Sequence, residues 1–284
     1  MPQLHSANFP VTEDGRTYHL DLAKGMIANR IITVGDIARA EKYAGFLDKD
    51  SITLRHQSAR GFYTITGKYK GKDVSIVGIG MGFPMMDFLV REALYCFESG
   101  STVAMLRLGT CGTPDISVQT GDYVITEDSI SVIRNPDYFT LKEENQSTEG
   151  VKPYLLSLPV KSNKDFQDAL DNAFTQLDLP HHRGRNAMGD SFYSSQGRHD
   201  DKFDDENDHI EGKLQELGVK SIEMESFQLL DLARCTKTVK VKACAATLVL
   251  AQRVTNVFID VNLKNTREEM MGRAGLEAII NVEL

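Results

Sequence analysis

The chain has 284 residues, 41% hydrophobic and 25% charged, with a formal net charge of −8. These proportions exclude a wholly disordered chain, and the acidic balance argues against nucleic acid or an anionic membrane as partner while leaving room for a small anionic substrate held by local arginines. No apolar run approaches the ~20 residues that cross a bilayer, and no basic-then-apolar leader opens the sequence, so a cytoplasmic protein is expected.

The length suits one large α/β domain or two small ones. Residues 28–36, ANRIITVGD, predict a short buried strand ending at Gly35, and 37–48 follow with helical spacing. Residues 61–82 predict a hairpin turning at Lys70-Gly71-Lys72 whose second arm is continuously apolar. A helix is predicted over 84–100, with Pro84 at its start and Gly100 past its end. The strand Val103–Leu108 then runs into a turn built from Gly109, Thr110 and Gly112, with Arg107 at the strand end. Another strand spans 121–133, 134–157 read as a polar loop, and 162–179 as an amphipathic helix. A strand precedes Phe192, the acidic stretch 199–213 is expected to be exposed, and VKSIEME (219–225) predicts a strand feeding a helix from Ser226. A long strand over 239–253 and a helix from Asn265, capped by Thr266 and Glu269, complete the chain. Strands alternate with helices throughout, so a single domain over 1–284 with a mixed or mostly parallel sheet is expected, residues 1–17 forming a flexible arm. Cys96, Cys111, Cys235 and Cys244 lie in apolar surroundings without metal-ligand spacing and read as buried free thiols.

Four polar clusters fall where strands end, which is where α/β sheets gather ligands. In Gly35–Asp36–Arg39 a glycine exposes backbone N–H groups and an arginine sits in the first helical turn; an oxyanion site and a plain strand-helix turn both fit. In RLGTCG, Arg107 and Thr110 suit a phosphate, or Arg107 pairs with a buried carboxylate. In IEMES, Glu223 and Glu225 lie two apart and face one side of a strand; they suit sugar hydroxyls or a helix N-terminus. In FYSSQGRHD, Phe192 can stack on a planar ring while Gln196 and Arg198 bond its edge; an ordinary polar loop is the alternative. GIGMG (78–82) lacks the GxGxxG spacing, no Walker A sequence is present, and the acidic run Asp204–Asp208 lacks the glycine of an EF-hand, so no metal is expected.

Together and in this order the four clusters resemble the nucleoside phosphorylase-I family, its uridine-cleaving branch most closely, from about His19 to the C-terminal helix. The resemblance implies a three-layer α/β/α sandwich around a mixed, partly barrel-like central sheet. The activity it implies is reversible phosphorolysis of uridine to uracil and ribose 1-phosphate, as in pyrimidine salvage. It places phosphate on Gly35, Arg39, Arg107 and Thr110, with Arg60 arriving from a neighbouring subunit. It places ribose on Met224, Glu225 and Glu223, with His19 from the same neighbour, and uracil on Phe192, Gln196 and Arg198, with Arg253 near the pocket lid. Arg107, Thr110, Gln196, Arg198 and Glu225 would carry the catalysis. The implied partners are the small-molecule substrates and a second copy of the chain in a homodimer; no cofactor is implied, inorganic phosphate being a co-substrate. The purine-specific relatives carry an aspartate where Leu250–Arg253 stand here, which favours a pyrimidine. A purine nucleoside phosphorylase, a nucleosidase of the same fold and a non-catalytic nucleoside-binding homologue are the alternatives. Gly61 replaces a glutamate that helps some bacterial members bind a monovalent cation, which puts such a site in doubt.

Overall fold

The computed structural model describes residues 3–284. A two-stranded antiparallel pair, β1 (Leu4–His5) and β2 (Val11–Thr12), opens the chain. The rest is built on one sheet of 12 strands. In chain order its elements are β3 (Arg30–Val34), α1 (Ile37–Ala44), β4 (Leu54–Gln57), β5 (Tyr63–Tyr69), β6 (Lys72–Gly78) and α2 (Phe83–Tyr95). Next come β7 (Thr102–Thr113), β8 (Tyr123–Arg134), α3 (Pro136–Glu143), β9 (Tyr154–Leu156), β10 (Val160–Lys161), α4 (Lys164–Gln176) and β11 (His181–Gly189). The chain closes with α5 (Ile210–Glu216), β12 (Val219–Glu223), α6 (Ser226–Arg234), β13 (Lys240–Gln252), β14 (Val257–Phe258) and α7 (Val261–Asn281).

Strands β13, β8, β11, β12 and β7 pair in sequence, and β7 pairs back with β13, so five strands close into a barrel. From β7 an open wing continues through β3 and β6 in parallel, then β5 and β4 antiparallel. Strands β3 and β7, where wing and barrel join, are buried on both faces, which is why their sequences, IITV and VAMLRL, are continuously apolar instead of alternating. Helices cover both faces. Tyr43 of α1, Phe166 and Phe174 of α4 and Met271 of α7 pack one side; Met86 and Leu89 of α2 and Leu229 of α6 pack the other. The architecture is the three-layer α/β/α sandwich with a partly barrel-like sheet. Among the described residues no helix is long and apolar enough to cross a membrane.

Several local expectations are overturned. Gly109, Thr110 and Gly112 do not form a turn: β7 runs on to Thr113, paired in parallel with β13 along its whole length. Both glycines lie within the barrel seam, where a Cβ on Gly109 would stand 3.4 Å from Arg107 Nε and one on Gly112 3.5 Å from the Ala251 carbonyl, ordinary contact distances. Arg107 therefore projects from mid-strand. The 134–157 segment is no plain loop, because Asn135 caps α3 with Pro136 at its first position, and β9 follows. Helix α7 starts at Val261, where Asp260 accepts from the backbone N–H groups of Asn262 and Leu263; Thr266 lies inside the helix and bonds back to the Asn262 carbonyl, so the Thr266–Glu269 box does not form. Helices α1 and α2 stop at Ala44 and Tyr95, short of the expected ends. Strand β12 stops at Glu223, leaving Glu225 outside it. Cys235 is exposed, whereas the other three thiols are buried.

Candidate active site

Strands β3, β6, β7 and β12 bring their ends or middles to one cavity of about 380 Å³, inside the roughly 300–1,000 Å³ of ordinary small-molecule sites. Its lining includes Gly35, Arg39, Arg107, Thr110, Phe192, Gln196, Arg198, Glu223, Met224 and Glu225. Nearly the whole predicted constellation, drawn from four separate sequence segments, thus shares one space.

The charged end is set by α1 and β7. Asp36 caps α1 by accepting the Arg39 backbone N–H at 2.8 Å, which places Arg39 in the first turn with its side chain aimed back over the strand end. Gly35 has no side chain to obstruct the approach. A Cβ there would lie 3.8 Å from both Arg39 Nη1 and Arg107 Nη2, so the two guanidiniums meet over this glycine. Arg107 is 3% exposed. Its Nη2 donates to Glu225 Oε2 at 2.7 Å, while its Nε and Nη1 are buried without an acceptor, as is Arg39 Nε. Buried charged donors left unpaired are costly, on the order of 1–3 kcal/mol each or more, and the atoms the two guanidiniums present at Gly35, Arg39 Nη1 and Arg107 Nη2, are placed to receive an anion there.

The two glutamates divide their tasks. Glu223, at the end of β12, accepts the backbone N–H groups of Glu225 at 2.9 Å and Ser226 at 3.0 Å, so it serves the N-terminus of α6. Burial first, then the Glu225 charge, push its pKa up, against Arg107 and the two backbone donors that pull it down. Glu225 instead bridges two partners: Oε2 takes Arg107, and Oε1 takes the Gly82 backbone N–H at 2.5 Å. Of the two sequence readings of this pair, Glu223 takes the helix-end role, while Glu225 lines the cavity with its carboxylate held by Arg107 and Gly82.

The other end is built on the turn after β11. Gln196 is 2% exposed. The Arg198 guanidinium lies 4.0 Å from the centre of the Phe192 ring, with Nε buried and unpartnered. Burial, then the nearby Arg253 charge, push the Arg198 pKa down. Arg253 does not line the cavity. It braces the turn from behind, donating to the carbonyls of Gln196 at 3.1 Å and Gly197 at 3.0 Å. The turn can form because Gly197 takes φ 63°, where a side chain is disfavoured and would also press on Ile210 at 3.2 Å.

His19 and Arg60 lie outside this cavity. His19 Nδ1 is 2.5 Å from Glu92 Oε1, and its ring stacks on Phe88 at 3.8 Å. Arg60 donates to the Tyr18 hydroxyl, so both residues belong to one cluster elsewhere on the chain.

The sequence reading missed Gly80 and Met81, which line the cavity, and Gly82, which holds Glu225. They belong to the GIGMG run set aside for its spacing. The available signal was topological: an apolar strand parallel to β3 ends at the same edge, so its glycines reach the same place. Cys111, Ile222, Leu250, Ala251 and Phe258 also line the cavity; their apolar character gave no signal. No carboxylate comes from the Leu250–Ala251 wall. Among the described residues no group of three or more His, Cys, Asp and Glu side chains is placed to hold a metal ion.

Comparison with known proteins agrees with this geometry. The family described as the phosphorylase superfamily matches residues 29–276. A uridine phosphorylase of Thermococcus kodakarensis is 28% identical over 255 residues, covering 89% of this chain and 83% of the relative. A DeoD-type purine nucleoside phosphorylase of Bacillus velezensis is 29% identical over 216 residues, 76% of this chain and 80% of the relative. A solved structure from work on two uridine phosphorylases of the oomycete Phytophthora capsici superposes with a TM-score of 0.92 at 35% identity, covering 99% of this chain and 100% of that one. A Trypanosoma brucei nucleoside phosphorylase shares the fold, with a TM-score of 0.81 at 22% identity over 96% of this chain.

Proposed function

This chain belongs to the phosphorylase superfamily, and on that premise we propose that it catalyses the reversible phosphorolysis of uridine to uracil and ribose 1-phosphate. The observation that carries the reading is the meeting of Arg39 and Arg107 over Gly35, with buried donors unspent, in the same cavity as Gln196 and Arg198. Water needs no guanidinium cradle, so this arrangement favours phosphate over water as the nucleophile.

In this reading phosphate sits on Gly35, Arg39, Arg107 and Thr110. The ribose lies above it against Met224 and Glu225, whose carboxylate takes the sugar hydroxyls. Phe192, Gln196 and Arg198 take the uracil. As the bond from C1′ to uracil N1 breaks, positive charge grows on the sugar and negative charge on the base. Phosphate stabilises the first and supplies the oxygen that bonds C1′; Gln196 and Arg198 stabilise the second until the departing uracil takes a proton. The catalysis is positioning plus preorganised electrostatics, with no covalent enzyme intermediate and no cofactor. The acid-free wall at Leu250–Ala251 supports a pyrimidine over a purine, whose ring nitrogen needs a proton donor as it leaves.

The reading extends to a homodimer in which His19 and Arg60 of one copy complete the site of the other. Their placement outside their own cavity, side by side next to Tyr18, supports this. A cytoplasmic location is part of the same reading, supported by four free thiols.

An ultraviolet assay of uridine, thymidine, inosine and adenosine, each with and without phosphate, tests the proposal. Uracil release from uridine that depends on phosphate or arsenate is expected. Equal release in phosphate-free buffer identifies a nucleosidase, faster cleavage of inosine identifies a purine phosphorylase, and tight uridine binding without turnover identifies a binding homologue.

A further inference from the structure

The arginine cradle has a third component that the cavity itself does not contain. Arg39 comes from α1 and Arg107 from β7, and these two elements do not follow one another in the chain or fix one another's position by themselves. Helix α7 touches both. Its residues Glu268, Gly272 and Gly275 are spaced four and three apart and so share one helical face. A Cβ on Gly272 would collide with the ring of Tyr43, one turn beyond Arg39 on α1. A Cβ on Gly275 would stand 2.5 Å from Leu108 Cδ1, the residue next to Arg107 on β7. The two glycines therefore let the α7 backbone lie directly against both arginine-bearing elements.

That close seating delivers Glu268 to the back of Arg39. Glu268 is 6% exposed, an unusual place for a carboxylate on a helix that has a solvent face. Its Oε1 accepts from Arg39 Nη2 at 3.1 Å, and its Oε2 from Lys42 Nζ at 3.2 Å. Asp36 reaches the same Nη2 at 3.4 Å but is half exposed. With Nη2 held from behind, Nη1 is turned toward Gly35, and Nε is left buried and unpartnered. Two like-charged guanidiniums that converge over one glycine repel each other, so Arg39 needs a restraint that does not occupy the atoms it presents. Glu268 is placed to be that restraint.

We propose that Glu268 is a positioning residue for Arg39, and that α7 through it sets the affinity of the cavity for inorganic phosphate. The proposal rests on the phosphorolysis reading. It goes beyond that reading by assigning the phosphate affinity to a side chain that touches neither substrate.

The test uses the full-length protein and the near-isosteric variant Glu268→Gln, with inorganic phosphate as the probe. Calorimetry gives the phosphate dissociation constant directly, and initial rates give KM for phosphate and for uridine separately. The expected result is a rise in phosphate Kd and phosphate KM on the order of tenfold, the scale for removing a charged partner behind a ligand-binding group, with uridine KM changed by less than about twofold. A merely structural role moves the melting temperature and the active fraction, or both KM values together, and that pattern overturns the inference. A second pair of variants keeps the test decisive if Glu268→Gln is destabilised: in an Arg39→Ala background, Glu268→Gln should cause no further rise in phosphate KM, because the group it positions is gone. A full additive rise there also overturns the inference. Wild-type protein that binds no phosphate overturns the functional reading and this inference with it, whereas wild-type binding that Glu268→Gln leaves unchanged overturns the inference alone.

Discussion

At one end of the cavity Arg39 and Arg107 hang from α1 and β7, elements packed or paired on both sides, and each guanidinium is paired with a buried carboxylate, Glu268 outside the cavity and Glu225 in its lining. At the other end Gln196 and Arg198 come from a turn, and Arg198 rests on the Phe192 ring with no ion pair among the described residues. In the proposed reading the difference matches the charges each end would meet. A phosphate is anionic before and after reaction, so its cradle gains from being rigid and partly neutralised, since bare converging guanidiniums repel. Uracil becomes anionic only as it leaves, so a desolvated cation without a counter-ion is more useful there: its charge is not already spent when the base charge develops. The cavity lining also includes two exposed aromatic rings, Phe192 at 46% and Phe258 at 68%, which suits a region that must admit and release a planar base.

The sharpest way to break this contrast is to remove the arginine at the rigid end. Arg107→Ala should reduce uracil release from uridine by at least the 10²–10³ typical of a lost oxyanion donor. It should also cost about 3–5 kcal/mol of stability, because Glu225 is then left as an unpaired buried charge. The buried ion pair with Glu225 makes that second effect part of the prediction. Urea unfolding and rate measurements on the same preparation check both, and a variant that keeps its rate removes Arg107 from the anion site.

Arg198→Ala probes the opposite end and should be cleaner. No carboxylate depends on Arg198, so stability should change by less than about 1 kcal/mol. The rate should fall on the order of 10²-fold through loss of charge opposite the departing uracil, while KM for phosphate stays put. A parallel rise in phosphate KM would mean the two ends are coupled and the division of labour drawn here is wrong.

What could be read in advance follows the same divide between local and tertiary causes. Gly35, Asp36 and Arg39 were legible because their logic is local: a strand end, a capping aspartate three residues before an arginine, a glycine where backbone must be approached. Pro136 after Asn135 carries an equally local helix start and was passed over within a polar stretch. The place of Gly109 and Gly112 was not legible, because glycine in sequence reads as a turn, and only the closed barrel shows β7 running on through them along the seam with β13. Gly80 and Gly82 were hidden by judging a glycine run against a nucleotide-binding spacing when its relevance came from lying on a strand parallel to β3. Glu268 could not be found at all from sequence, since nothing within α7 announces that its face will meet Arg39.

The last predicted effect separates the two glutamates that the sequence presented as a pair. Glu223 is buried and pushed upward by burial and by Glu225, toward about 7, while an unfolded chain titrates it near its ordinary value of about 4.3. A carboxyl whose folded pKa is raised contributes stability that is full below the unfolded value and is lost as pH rises through the folded one. Glutamine in its place stays neutral and still offers an oxygen to the backbone N–H groups of Glu225 and Ser226, so it escapes that loss. The stability of Glu223→Gln relative to wild type should therefore improve between pH 5 and pH 8, by about 2–3 kcal/mol, measured by urea unfolding of both proteins at each pH. A difference that stays flat across that interval means Glu223 is ionised throughout. The backbone donors at the start of α6, together with Arg107, then outweigh burial and the Glu225 charge.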